Sequence, residues 1–547
     1  MTDSLLSRRE LLAVGGSLAA LSATACTTAG TAGVATNAAT NAVRNPASAP
    51  QPPFETLRDY VAALEANGLL LRLPEIDQDA FEATGLVYRA NDLYSFFGVP
   101  ALWFDRVKID GQWVKGPLLG LLQANLHCDA LVFGQQLVPG NGPASYRNAK
   151  AYLADVLKKN NGSYPSIPPV TVPREQALCK EVVLRGDEID LTKFAFIQTN
   201  PVDAGRYINA TSVFTYDPVM GNNFGTYRCQ LKGPRLLGLN PEPNQTGWKT
   251  LMAAKARGES VAKVSIVLGQ DPVVWFISCT RVAPRFGDKP VDELAVAGGF
   301  RGKPLAVVQS ETNDLLVPAN AEMIIEGEVP LQGQGMPEGP FGEMFGYMGP
   351  AKQENFYLNV TAVTHRRDPW VVNMYTGMQR GMLTAPQDAL SDYFIRRGVP
   401  NLVESYQPQD VMGVYIVSID KNGPGQGLKA GHAVADRNPI AKVVIVVDKD
   451  IDVMDRTQIM FALGSRWQPS PATEIIKDLQ GIVTDPSQPV QGRTSKIIID
   501  ATMQWPEEGG REKFPATNRS LLEKDEPNVF AEVDRLYGTK LAQWGDA

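Results

Sequence analysis

Two glutamates stand five positions apart in Pro337-Glu338-Gly339-Pro340-Phe341-Gly342-Glu343, separated by two glycines and a proline. Proline removes a backbone donor and clashes with a preceding helical turn, and glycine favours turns. The segment therefore predicts a loop and not a helix face. A tight loop with apolar flanks can hold both carboxylates in one pocket. Their surroundings can then push the two pKa values apart, giving one ion partner and one proton donor near pH 7. Alone, the same residues also describe a solvated turn. A second stretch, Asn222-Asn223-Phe224-Gly225-Thr226-Tyr227-Arg228, follows a hairpin-like turn at Asp217-Pro218-Val219-Met220-Gly221. Gly225 would let the backbone approach a ligand closely. Arg228 offers a planar fork for a carboxylate or phosphate. Alone, the commoner reading of this stretch is an edge strand with a solvated arginine.

The elements around these residues are strand-rich. Tyr207–Tyr216, Ala262–Leu268, Val273–Ser278, Leu305–Gln309, Met323–Val329, Phe356–Thr364 and Val371–Tyr375 read as strands, with one helix at Gly247–Arg257. Their spacing and turn residues predict a barrel or sandwich. Before them, Thr56–Gly68 has apolar residues at helical spacing, with Gly68 as a fitting stop. Short strands and helices follow to about residue 180, and the Pro- and Gly-rich Asn160–Pro173 reads as a connection. After them, the helical pattern of Ala385–Arg397 leads into an alternating α/β layer. It contains Val414–Ile419, Val443–Val447, Gln458–Gly464 and Ile497–Ile499. Leu521–Gln543 offers a terminal helix that could dock on a neighbouring subunit.

A chain of 547 residues is too long for one core, so two or three domains are expected. A net charge of −7, with no lysine run, disfavours a nucleic-acid partner. The cysteines Cys26, Cys128, Cys179, Cys229 and Cys279 stand far apart, which predicts neither a zinc site nor a disulfide framework. His127, His365 and His432 are isolated, so no histidine-rich metal site is expected. No GxSxG elbow interrupts the body of the chain.

The N-terminus reads as an address. Ser7-Arg8-Arg9-Glu10-Leu11-Leu12 opens an uncharged run from Leu11 to Ala25 that ends in the small-x-small pattern Ala23-Thr24-Ala25. This predicts a secretory signal with a twin-arginine start, shorter than a comfortable membrane span. The twin-arginine route carries folded proteins, which suits a cofactor loaded before export. Cys26 is only a weak lipidation candidate, because Ala23 stands where a lipobox usually has leucine. Residues 26–53 read as a flexible linker.

Five motifs occur in one order. They are Asn223-x-Gly225-x-Tyr227-Arg228, then Asp292-Glu293-Leu294-Ala295, then Thr312-Asn313-Asp314-Leu315 with Val317-Pro318-Ala319. The Pro337–Glu343 loop follows, and Asp500-Ala501-Thr502 with Trp505-Pro506 closes the set. Together they closely resemble the UbiD-like family of prenylated-FMN-dependent decarboxylases, over roughly residues 54–510. The resemblance implies a mixed α+β and α/β fold. An N-terminal α/β region (54–180) and a split β-barrel flavin-binding domain (181–380) would be linked by a helix to a C-terminal α/β domain (381–510), with a tail and helix at 511–547. It implies that Arg228 engages a substrate carboxylate and Glu338, and that Glu343 delivers the proton that replaces carbon dioxide. Asn223 and Glu293 match the ligands of a divalent metal, usually manganese with potassium nearby, that holds the flavin phosphate. Gly225, Thr226 and Tyr227 match the backbone along the flavin, Lys442 a basic residue near the cofactor, and Leu463 a position lining the substrate pocket. The implied partners are an aromatic or α,β-unsaturated carboxylic acid, a flavin prenyltransferase as cofactor supplier, and further copies of the chain in a homodimer or higher oligomer. One departure stands out: the family's histidine metal ligand is missing from the window Asn240–Thr246, where Asn244 could take its place.

Two other readings compete. Gly425-Gln426-Gly427-Leu428-Lys429-Ala430 resembles the dinucleotide fingerprint GxGxxA, with Asp448 and Asp450 near the expected distance at the next strand's end. An NAD-dependent oxidoreductase is therefore the alternative enzyme. An exported binding protein that kept the decarboxylase fold is the alternative without chemistry.

Overall fold

The computed structural model describes residues 48–282 and 292–545. The twin-arginine pattern, the cleavage pattern and Cys26 lie outside them.

The first folded helix is Leu57–Ala66. Thr56 caps it by accepting from Asp59 N, and Thr56 N in return donates to Asp59 Oδ2 at 3.1 Å. Gly68 ends it with φ +69. The helix packs on a four-stranded sheet ordered Leu70–Asp77, Ala101–Ile109, Gln112–Gly120 and Val371–Val372. The segment expected as the strand Val371–Tyr375 is thus only two residues of strand, and it completes this N-terminal sheet rather than the barrel.

The central sheet has ten strands. Its main path runs Tyr207–Ile208, Cys229–Gly233, Leu236–Leu239, Lys352–His365, Met323–Pro330, Val261–Leu268, Thr211–Asp217 and Gly221–Gly225, with Val182–Arg185 and Met336–Glu338 pairing onto Lys352–His365. The expected strand Tyr207–Tyr216 is two strands, and the helix Thr246–Ala256 stands where Gly247–Arg257 was expected. Residues 306–309 and 316–318 form a small separate sheet with Val170–Thr171. The Thr312–Leu315 motif is the turn of that sheet. Its Thr312 backbone and hydroxyl both donate to buried Glu326, at 2.7 and 2.9 Å.

Val273–Ser278 is not a strand. Pro272–Cys279 is a helix that Asp271 caps by accepting from Val273 N and Val274 N. The β-branched and aromatic run suggested a strand, but an Asp N-cap followed by proline at the first helical position starts a helix. Burial of nearly every side chain in the segment had erased any period.

Helix Ala385–Gly398 leads into a five-stranded sheet ordered Leu402–Tyr406, Val414–Ile419, Val443–Asp448, Arg493–Asp500 and Thr473–Gln480. The middle three strands are mutually parallel and the two edges antiparallel. Helices Gln426–Ala435 and Arg456–Ser465 complete the α/β layer. The terminal helix is split into Asn518–Asp525 and Val529–Gly545.

Candidate active site

The strand Cys229–Gly233 begins directly after Arg228, and the short strand Met336–Glu338 ends on Glu338. The sheet brings the two side chains together. Arg228 Nε donates to Glu338 Oε1 at 2.9 Å and Nη2 to Glu338 Oε2 at 2.8 Å, a two-pronged pair. Arg228 Nη1 reaches Glu343 Oε1. The expected loop is accurate at its turn: Gly339 has φ +79, which glycine adopts without strain. A second short strand, Phe341–Gly342, follows and pairs with Met348–Gly349.

The pocket is graded in exposure. The Glu338 side chain is 0% exposed, that of Arg228 9% and that of Glu343 20%. Tyr207 Oη donates to Glu338 Oε1 at 3.1 Å, and the Tyr207 and Phe341 rings pack 4.5 Å apart, with Phe341 5.0 Å from the guanidinium carbon. Burial would strip the proton from Arg228, but Glu338 and Glu343 more than offset this and hold the guanidinium charged. Burial raises the Glu343 carboxyl above its ordinary range. Arg228 opposes that rise, and the nearby Glu242 and Glu338 charges add to it. That upward shift is in the direction a proton donor needs. The loop is fixed from both sides. Gly342 N donates to Asp203 Oδ1 at 2.9 Å, and Glu343 N to Tyr347 O at 2.8 Å. A methyl group on Gly349 would lie 2.8 Å from Glu343 Cγ, so only glycine leaves that side chain its place.

Asn223 and Glu293 also meet. Asn223 Nδ2 and Phe224 N both donate to Glu293 Oε2 at 2.9 Å. Asn223 Oδ1 is buried and has no hydrogen-bond partner. An orphaned amide oxygen beside a carboxylate is a donor set for a hard cation. Among the described residues no group of three or more His, Cys, Asp or Glu is poised around a metal. Thr226 lies between this corner and Arg228. Its N donates to Ser278 O at 2.9 Å, and its hydroxyl lies 3.0 Å from Ser278 Oγ and 3.2 Å from Cys279 Sγ.

Other expected residues behave differently. The space beside Gly225 is taken by the Tyr227 ring, whose hydroxyl also fills the gap at Gly247 and accepts from Gly247 N at 2.9 Å. A Cβ at 225 would collide with that ring, so internal packing alone already requires glycine there. Lys442 is engaged within the C-terminal region, donating to both Asp485 oxygens at 3.0 Å and to Ser487 Oγ at 2.7 Å. Leu463 packs against the core of the C-terminal sheet. Asn244 is exposed, and its carbonyl accepts from Arg281 Nη2 at 3.3 Å.

The profile of the 3-octaprenyl-4-hydroxybenzoate carboxy-lyase Rift-related domain matches residues 170–379, and that of the carboxy-lyase C-terminal domain matches residues 381–501. The chain belongs to the UbiD family. An uncharacterised Archaeoglobus fulgidus protein is 32% identical over 350 residues, covering 62% of this chain and 70% of its own. The UbiD-class enzyme HmfF of Pelotomaculum thermopropionicum, solved with FMN, superposes with a TM-score of 0.71 at 28% identity, covering 85% of this chain and 97% of its own. Vanillic acid decarboxylase of Sedimentibacter hydroxybenzoicus in its closed form gives 0.71 at 26% identity, covering 87% and 99%.

In this UbiD-family chain the dinucleotide-like turn has no room for a pyrophosphate. Gly425 does enter helix Gln426–Ala435 with φ +73, but the space left by Gly427 is filled by the buried Asp500 carboxylate. Gly425 N donates to Glu508 Oε1 at 2.6 Å. The chain's own carboxylates thus occupy the helix N-terminus that would attract phosphate. Asp448 and Asp450 are both bound to Arg466, at 2.8 and 2.6 Å, rather than presented to a ribose. Tyr207, Asp203, Ser278, Glu242 and Lys352 were not singled out from the sequence. They belong to no motif, and only strand register and helix ends bring them to the site.

Proposed function

We propose that this protein is a prenylated-FMN-dependent carboxy-lyase that removes carbon dioxide, non-oxidatively and reversibly, from an aromatic or α,β-unsaturated carboxylic acid. The carrying observation is the Arg228 guanidinium, clamped two-pronged by buried Glu338 and turned by its third nitrogen toward Glu343.

Three of the five Arg228 N–H groups are engaged, leaving one on each terminal nitrogen for the substrate carboxylate. Glu338 and Tyr207 fix the orientation of that fork. When bound, prenylated FMN supplies the electron sink for the pair left behind by departing carbon dioxide. Glu343, whose carboxyl burial raises above its ordinary range, gives a proton from its acid form to the carbon that lost the carboxylate and becomes a carboxylate itself. Its 20% exposed side chain can then regain a proton from water. Asn223 Oδ1 and Glu293 would hold a divalent cation, manganese by family resemblance with potassium nearby, against the cofactor phosphate. The reading extends to export by the twin-arginine route to the periplasm, to a flavin prenyltransferase as supplier, and to a homodimer or larger assembly. The exposed Leu521, Leu536, Tyr537 and Leu541 of the terminal helices support that last point.

Co-expression with a flavin prenyltransferase tests this. Purified protein is expected to carry prenylated FMN, seen by absorbance and by the mass of the released cofactor. Bound NAD would instead support an oxidoreductase, and no cofactor at all a binding protein.

A further inference from the structure

Beside the Arg228–Glu338 pair lies a second charged pair that the decarboxylation steps leave without a task. Lys352 Nζ donates to Glu242 Oε1 at 2.6 Å and to Asn240 Oδ1 at 2.7 Å. Asn355 Nδ2 donates to the same Asn240 oxygen at 2.6 Å, and Asn240 Nδ2 to Glu242 Oε1 at 3.2 Å. Register ties this group to the site on both flanks. Asn240 N donates to Arg228 O at 3.2 Å, and Lys352 is the cross-strand partner of Glu338. Directly opposed residues of an antiparallel pair share a face. Lys352 therefore stands on the face where Glu338 meets Arg228. Glu242 is close enough to Glu343 for its charge to be felt there.

The pair is held ready. Glu242 N donates to Gln245 Oε1 at 2.7 Å, and Gln245 N to Glu242 O at 2.8 Å, which fixes the turn before helix Thr246–Ala256. Yet the Lys352 and Glu242 side chains keep 33% and 23% exposure, where Glu338 keeps none. An ion pair so open contributes little to stability, so stability alone is a weak reason for building it here. Two of the three ammonium hydrogens are used, leaving one for an acceptor, while ionised Glu242 only accepts. A donor and an acceptor side by side match a hydroxyl, which accepts from one and donates to the other. A second carboxylate on the ligand would meet Lys352 but be repelled by Glu242. A hydrocarbon edge would desolvate both and satisfy neither.

We propose that Lys352 and Glu242 are the specificity-determining pair of this site and receive a hydroxyl group carried by the substrate acid. The substrate is then a hydroxylated unsaturated acid rather than a dicarboxylic or purely hydrocarbon one. This rests on the decarboxylase reading of Arg228 and Glu343.

The test uses holoenzyme from co-expression with a flavin prenyltransferase. Benzoic and cinnamic acids, each with and without 3- and 4-hydroxyl groups, are titrated calorimetrically, and carbon dioxide release is followed on the same samples. A hydroxylated acid is expected to bind at least ~10-fold tighter than its unsubstituted counterpart. Lys352→Met is expected to collapse that ratio toward one, with cofactor absorbance reporting that the variant is folded. Glu242→Gln is expected to shrink the ratio too, and serves if the lysine variant does not fold. Acids turned over with no hydroxyl preference, or with a preference intact in both variants, overturn the inference and leave the decarboxylase reading standing. If no acid binds and none releases carbon dioxide, both fall.

Discussion

Arg228 carries two duties with one side chain: Nε and Nη2 grip Glu338, while Nη1 addresses Glu343. Lysine keeps the charge but loses the fork. Arg228→Lys is therefore expected to lower kcat/KM by about 10²-fold, and it would leave buried Glu338 short of a partner, at a cost of about 3 kcal/mol of stability. Steady-state kinetics and thermal melts check the two together, and unchanged kinetics would contradict the assignment. Glu343 makes a pH prediction. Burial raises its carboxyl, and a proton donor acts in its protonated form, so kcat is expected to hold at low pH and to fall as pH rises through that raised value. A kcat profile with no alkaline limb would count against it. Arg228, Glu338, Glu343, Asn223 and Glu293 were legible because each sits in a motif whose order along the chain is informative. Lys352 and Glu242 were not, since an exposed-looking lysine and a loop glutamate acquire meaning only once Lys352 is seen opposite Glu338.

Helix Ala385–Gly398 joins the central-sheet region to the C-terminal sheet, and its N-terminal half is anchored by buried polar groups. The Tyr146 hydroxyl donates to Asp388, the Tyr164 hydroxyl donates to Pro386 O at 2.7 Å, and Lys150 Nζ pairs with Asp392 at 2.9 Å. Burial pushes the Asp388 carboxyl up to about 7. Lys150 and Tyr146 oppose the rise, and Asp392 and Asp129 add to it. A carboxyl raised above its unfolded value of about 3.9 favours folding when protonated. Its contribution is full below that unfolded value and is lost as pH rises through about 7. Asp388→Asn is therefore expected to gain on the native protein in Tm as pH rises from about 4 to about 7. Parallel Tm curves for the two would contradict this. The helix itself was readable from its apolar spacing. Pro272–Cys279 was not, because a helix buried on nearly every side loses its period and its β-branched residues imitate a strand.

At the scale of the whole molecule, order along the chain was the most readable feature. Two family profiles span the first four motifs and the start of the fifth, and the C-terminal α/β layer was visible as alternating strands and helices. The sheet order was not readable, since Lys352–His365 gathers four earlier strands, from as far back as Val182–Arg185. Nor was the fate of the Gly425–Gly427 turn, whose phosphate-like corner is closed by Asp500 and Glu508 from far along the chain. The proposed address makes a prediction at this scale. Changing both Arg8 and Arg9 to Lys is expected to abolish periplasmic accumulation of the full-length chain, measured by cell fractionation. Undiminished periplasmic yield would remove the twin-arginine reading.

The most direct measurement is carbon dioxide release by prenylated-FMN-loaded native protein and by Glu343→Gln across a panel of aromatic and α,β-unsaturated acids. The native protein is expected to release carbon dioxide from at least one acid, while the variant keeps its cofactor and loses at least ~10²-fold in rate. A Glu343→Gln protein that retains its cofactor and turns over at the native rate would contradict the account.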